Sequence, residues 1–101
     1  PPVRAALVAN FEAWIQAIER CLDEAGDALP RGLDRRMVAE FVLTTMEGGV
    51  MLARTFKHVD YFDRAIALLR NYFDGLAAAA QSRPPGKRTP ARRARANRME
   101  P

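Results

Sequence analysis

The 101-residue sequence holds one cysteine, Cys21, and one histidine, His58. A single thiol excludes an internal disulfide and suits a reducing compartment. Cys21 falls on the apolar stripe of the first predicted helix, where a buried, inert thiol is expected. His58 stands between Lys57 and Val59 with no second His, no further Cys and no suitably spaced carboxylate beside it. A metal site is therefore not expected. No apolar run approaches the roughly 18 residues that a membrane span needs. The opening Pro1-Pro2-Val3-Arg4 carries no charged-then-apolar leader, and a cytoplasmic protein with no membrane partner is expected. There is no Gly-rich phosphate loop, and no Ser or Cys nucleophile stands with a base. Glu40 and Glu47 lie two helical turns apart and cannot share a proton or a metal. No enzyme activity and no cofactor are expected. The chain also opens without Met, and it is expected to be part of a longer protein.

Glycine and proline stay out of three long stretches rich in Ala, Leu, Val, Ile and Phe, which favours helix over strand. From Val3 to about Ala28, the residues Val3, Leu7, Phe11, Trp14, Ile18, Cys21, Leu22 and Ala25 recur at three- and four-residue steps, with Ile15 beside them. Gly26 weakens the last turns, and Leu29-Pro30-Arg31-Gly32 closes them. A second helix is expected after Asp34, a good N-cap residue, running to about Phe56. It has two apolar sides. Val38, Val42, Thr45, Met46, Gly49, Ala53 and Phe56 form one, and Met37, Phe41, Thr44, Gly48, Met51 and Thr55 form the other. Only Glu40, Glu47 and Arg54, with Leu43 near them, are left for water. A third helix follows Asp60, with Phe62, Ile66, Leu69, Phe73 and Leu76 on its main stripe. Tyr61, Ala65, Leu68 and Tyr72 widen that stripe to one side. Gly75 marks the approach of its end, although Leu76-Ala77-Ala78-Ala79-Ala80 can add a further turn or two.

Charge is divided unevenly. Beyond Leu76, seven basic residues (Arg83, Lys87, Arg88, Arg92, Arg93, Arg95 and Arg98) face only Glu100, a net of +6. Residues 1–76 carry nine basic and eleven acidic side chains, a net of −2. The stretch 77–101 holds four prolines and no aromatic or branched aliphatic side chain. It is expected to be a disordered basic tail, and 1–76 the folded unit. The tail can touch phosphate weakly and without sequence selectivity, since it has nothing to stack on bases.

Three helices of this length bury only about 60–65% of their unfolded surface and are marginal alone. They nonetheless offer more apolar face than they can cover for one another. Leaving the second side of helix two in water forgoes roughly 1.5–3 kcal/mol for each large side chain that could be buried. Gly48 and Gly49 each cost about 1 kcal/mol relative to Ala in mid-helix. With Thr44, Thr45 and Ala53 they make a smooth groove suited to close helix packing, within the chain or between chains. Phe11 and Trp14 fit either a ligand-cavity wall or ordinary core packing.

The run Phe41-Val42-Leu43-Thr44-Thr45-Met46-Glu47-Gly48-Gly49-Val50-Met51-Leu52-Ala53-Arg54 resembles the penultimate helix of the TetR/AcrR family of transcriptional regulators. The helix with Phe11, Glu12 and Trp14 is similar to the long helix that enters this region. Asp60-Tyr61-Phe62-Asp63-Arg64-Ala65-Ile66 through Leu76 resembles the final helix. The resemblance implies an all-α fold: a three-helix antiparallel unit, the last three helices of a TetR-like C-terminal domain, without the N-terminal helix-turn-helix. It implies a homodimer in which the last two helices of each subunit form an intersubunit four-helix bundle. Met37, Phe41, Thr44, Gly48, Met51, Thr55, Tyr61, Ala65, Leu68 and Tyr72 would supply that interface. The first helix would wall a pocket for a small apolar effector with Phe11, Trp14, Ile15 and Ile18. DNA would be read only through the missing N-terminal domain. A reading of a different class is a small stand-alone helical protein whose basic tail binds nucleic acid or another acidic partner.

Overall fold

A computed structural model describes residues 2–82. The basic segment expected to be disordered lies, from Arg83 onward, outside the described residues. Three helices make up the structure: α1 (Pro2–Ala25), α2 (Arg35–Phe56) and α3 (Asp60–Ser82), with a 3-10 turn at Gly26–Ala28 between the first two. The α1 helix stops three residues short of the expected end because Gly26 takes φ 55°, a left-handed conformation that breaks the α ladder. The α3 helix runs six residues past Leu76, within the further turn or two that the alanine run allows. Ala77 to Ala80 are the best helix formers available, and Ser82 closes the end with its hydroxyl donating to the Ala79 carbonyl at 3.1 Å.

Asp34 caps α2 as its sequence position predicts, its carboxylate accepting from the Met37 N–H at 3.0 Å. At the far end Lys57 is left-handed, φ 54°, and the His58 N–H reaches back to the Ala53 carbonyl at 3.0 Å. This C-terminal cap turns the chain sharply. The turn lays α3 antiparallel against α2, with Phe56 stacked on Tyr61 (centroids 4.7 Å apart) and Phe41 edge-on to Tyr72 at 5.2 Å.

The middle helix, α2, packs against both others, whereas α3 meets the first segment only at the 3-10 turn. The core is correspondingly small: Leu22, Leu29, Val38, Ala39, Val42 and Leu69, with Ile15, Ile18, Leu33, Phe73 and Leu76 packed around it. Ala39, fully enclosed, was not expected there. Cys21 is exposed, contrary to the expectation of a buried thiol, because its neighbour Leu22 points into the core instead.

Two arginines at the start of α2 hold α1 in place. Arg35 donates to the Leu22 carbonyl, in the last turn of α1, and, at 3.2 Å, to the Gly26 carbonyl, which also accepts the Leu29 N–H at 3.3 Å. Arg36 grips Glu12 with both terminal nitrogens, at 2.6 and 3.0 Å, and its Nε donates to Glu40 at 2.9 Å. The hydrogen bonds from Arg36 hold the Glu12 carboxyl below its ordinary range, against a smaller opposing push from desolvation. The same partners, Glu12 first, raise the pKa of Arg36 further above its usual value.

Candidate functional site

Two apolar surfaces stay open in this arrangement, and they lie on different sides of α2. The first is a groove between α1 and α2 with a volume of 380 Å³, lined by Trp14, Ala17, Ile18, Leu43, Met46 and Glu47. Of the four residues expected to wall a pocket, Trp14 and Ile18 line this groove. Phe11 stands beside it, edge-on to Trp14 with centroids 5.8 Å apart. Ile15 turns to the core instead. Leu43, placed by its sequence position near the water-facing row, is half-buried here because α1 crosses on that side. The sequence signal was present in the i, i+4 pair Leu43 and Glu47 beside Met46, an apolar edge with one charge at its end.

The second surface runs along α2 and the edge of α3. Met37 and Met51 are each 63% exposed and Leu68 is 69% exposed, while Phe41 and Tyr72 are uncovered to a lesser degree. Thr44 and Thr55 are exposed on the same side, and Gly48 is half-buried. Met37, Val38, Phe41 and Tyr72 line a cleft of 360 Å³ at one end of it. Tyr61 marks the other end, with Phe56 stacked on one side and the Arg64 guanidinium 5.1 Å from its ring centroid. Ala65 sits differently. It lies in the seam between α2 and α3, its Cβ 3.3 Å from where a Cβ on Gly49 would stand.

These surfaces are large for so small a unit. Among the described residues fourteen large hydrophobic side chains are exposed against six hydrophobic residues buried in the core. Val3, Leu7 and Val8, in the first turns of α1, are among the fourteen. Isolated exposed apolar residues need no explanation, but a face on which several lie together is left without a partner inside the chain.

At the α2–α3 corner His58 Nδ1 accepts the Asp60 N–H at 3.2 Å and helps to start α3. No group of three or more His, Cys, Asp or Glu able to hold a metal occurs among the described residues. None of the described helices is long and apolar enough to cross a membrane.

The architecture is thus an all-α layer centred on one helix, with apolar surface left open on two of its sides. The chain matches the family model described as the tetracyclin repressor-like C-terminal domain over residues 1–69, and it belongs to that family. The match takes in α1, α2 and the first part of α3, the elements that carry both open surfaces. Neither the comparison with curated proteins nor that with solved structures gives a match.

Proposed function

We propose that the chain is the dimerisation and effector-sensing portion of a TetR/AcrR-type transcriptional regulator. The observation that carries this reading is the uncovered face of α2 and α3, with Met37, Phe41, Met51, Leu68 and Tyr72 exposed together. The occupant is a second copy of the same chain, α2 and α3 of each completing a four-helix bundle. Thr44, Gly48, Thr55 and Tyr61 share this face, and Ala65 supports it from the seam behind. The bend of the chain at Lys57 gives each protomer two adjacent antiparallel helices, the half-bundle that such pairing requires. Burying large apolar side chains that are half or more exposed stabilises the pair by on the order of 1 kcal/mol for each.

In the same reading, the groove at Trp14 and Ile18 is one wall of the effector site, with Phe11 at its rim and Ile15 behind it. The other walls come from helices of the longer protein, which also supplies the helix-turn-helix that reads DNA. The protein acts in the cytoplasm, without catalysis and without a cofactor, as a repressor whose affinity for its operator depends on the effector.

Gly48→Arg tests the bundle. A Cβ at this position meets nothing within 4 Å inside the chain, so the new side chain leaves the helix into open space. In a bundle it places bulk and an unpaired charge between helices. Sedimentation should show the variant as a monomer with unchanged helical circular dichroism. A variant that associates as the parent chain does would place the dimer contact elsewhere.

A further inference from the structure

We infer that the groove between α1 and α2 selects an apolar organic cation, an ammonium or phosphonium centre carried on aromatic or aliphatic groups. The inference rests on the effector-site reading and goes further by assigning the ligand's charge. The volume of 380 Å³ lies within the range of small-molecule sites. Its lining is the indole of Trp14, the aliphatic groups of Ala17, Ile18 and Leu43, the thioether of Met46, and one charged group, the carboxylate of Glu47.

Three carboxylates, Glu12 on α1 and Glu40 and Glu47 on α2, differ in what they meet. Glu12 and Glu40 are both held by Arg36, at 2.6 and 2.9 Å. Glu47 makes no salt bridge among the described residues, so its charge is open to a ligand in the groove. A neutral ligand gains from burial against Leu43 and Met46 alone. A cation gains the attraction of Glu47 as well, and the half-exposed face of Trp14 adds a cation–π contact. An anion of the same shape meets repulsion. Glu47 is exposed to solvent, so the effect is modest. An exposed ion pair and an exposed cation–π contact together correspond to roughly three- to thirtyfold in affinity.

Tetraphenylphosphonium and tetraphenylborate are close to isosteric and opposite in charge, which makes them suitable probes. Trp14 is the only tryptophan of the chain, so its fluorescence reads the groove directly. The full chain is titrated with each probe in sodium buffer at near-physiological ionic strength, and Glu47→Gln and Asp74→Asn are titrated in the same way. The ratio of phosphonium to borate affinity should fall roughly two- to thirtyfold in Glu47→Gln, which removes both the attraction for the cation and the repulsion of the anion and leaves the Trp14 contact in place, and stay unchanged in Asp74→Asn, which lies on α3. Comparing variants of one chain cancels the contribution of the basic residues beyond Ser82, which all of them carry. Binding of both probes with a ratio that ignores Glu47→Gln overturns the assignment of charge while leaving an apolar site. Failure of both probes to change Trp14 emission overturns the inference for this groove, whereas the effector-site reading falls only if the longer protein, with its other walls in place, leaves Trp14 emission unmoved as well.

Discussion

Gly48 and Gly49 are adjacent in α2 and meet different surroundings. A Cβ on Gly49 would lie 3.3 Å from both Ala65 Cβ and Phe62 Cδ1 and 3.5 Å from the Phe62 Cα, whereas a Cβ on Gly48 would find no atom within 4 Å. The same contrast extends along the helix. Val38, Ala39, Val42 and Gly49 are closed over by the chain itself, while Met37, Thr44, Met51 and Thr55 on the other side are not. Intramolecular packing accounts for one glycine and leaves the other, at about 1 kcal/mol of helix propensity, without a use inside the protomer. A helix that is apolar nearly all round belongs in the interior of something larger than three helices.

The largest effect should separate two adjacent leucines. Leu69 is 9% exposed and Leu68 is 69% exposed. Leu69→Ala should cost about 3 kcal/mol of stability at any protein concentration, since it empties a core position. Leu68→Ala should change the stability of the dilute protomer by less than about 0.5 kcal/mol. Its cost should emerge only as concentration rises and association contributes to the melting temperature. Equal losses for the two at high dilution would mean that the open face is closed within one chain.

The glycines offer a finer comparison. Gly48→Ala should stabilise the dilute protomer by roughly 1 kcal/mol, because it adds a helix former in open space. Gly49→Ala gains the same propensity but brings its Cβ to 3.3 Å from the Ala65 Cβ and the Phe62 ring, and that crowding offsets the gain. Chemical denaturation should show Gly49→Ala less stable than Gly48→Ala by roughly 1 kcal/mol or more.

Much of this arrangement is legible in the amino-acid sequence. Asp34 marks the start of α2, and the two-sided periodicity of that helix signals surplus apolar surface. The details that escape such a reading share one physical cause. Periodicity gives the centre of an apolar stripe but not the side on which a neighbouring helix crosses. With α1 lying over the Leu43 edge, Ala39 is enclosed and Leu43 becomes part of a groove instead of facing water. The same ambiguity misplaces Cys21, one residue from the buried Leu22. Of the candidate pocket residues, Trp14 and Ile18 share the groove but Ile15 does not, because a single helix stripe is wide enough to serve a groove and a core together. Gly75 signals an approaching end, and the alanine run that follows it carries the helix on to Ser82.

The smallest effect concerns the clamp between α1 and α2. Hydrogen bonding to Arg36 depresses the folded-state pKa of Glu12. Its contribution is therefore fully present above the ordinary carboxylate range and is lost as pH falls through the depressed value. Both partners are well exposed to solvent, so the loss is slight. Thermal unfolding between neutral and acid pH should show a shallower decline for Glu12→Gln than for the parent chain. An identical slope would indicate that the clamp does not persist in solution.

The molar mass of the unmutated chain in solution tests the central claim most directly. Static light scattering at tens of micromolar should report twice the 11.3 kDa of one chain, falling toward a single chain on dilution. A well-folded monomer that keeps its single-chain mass at that concentration would contradict the assignment of the α2–α3 face to a second copy.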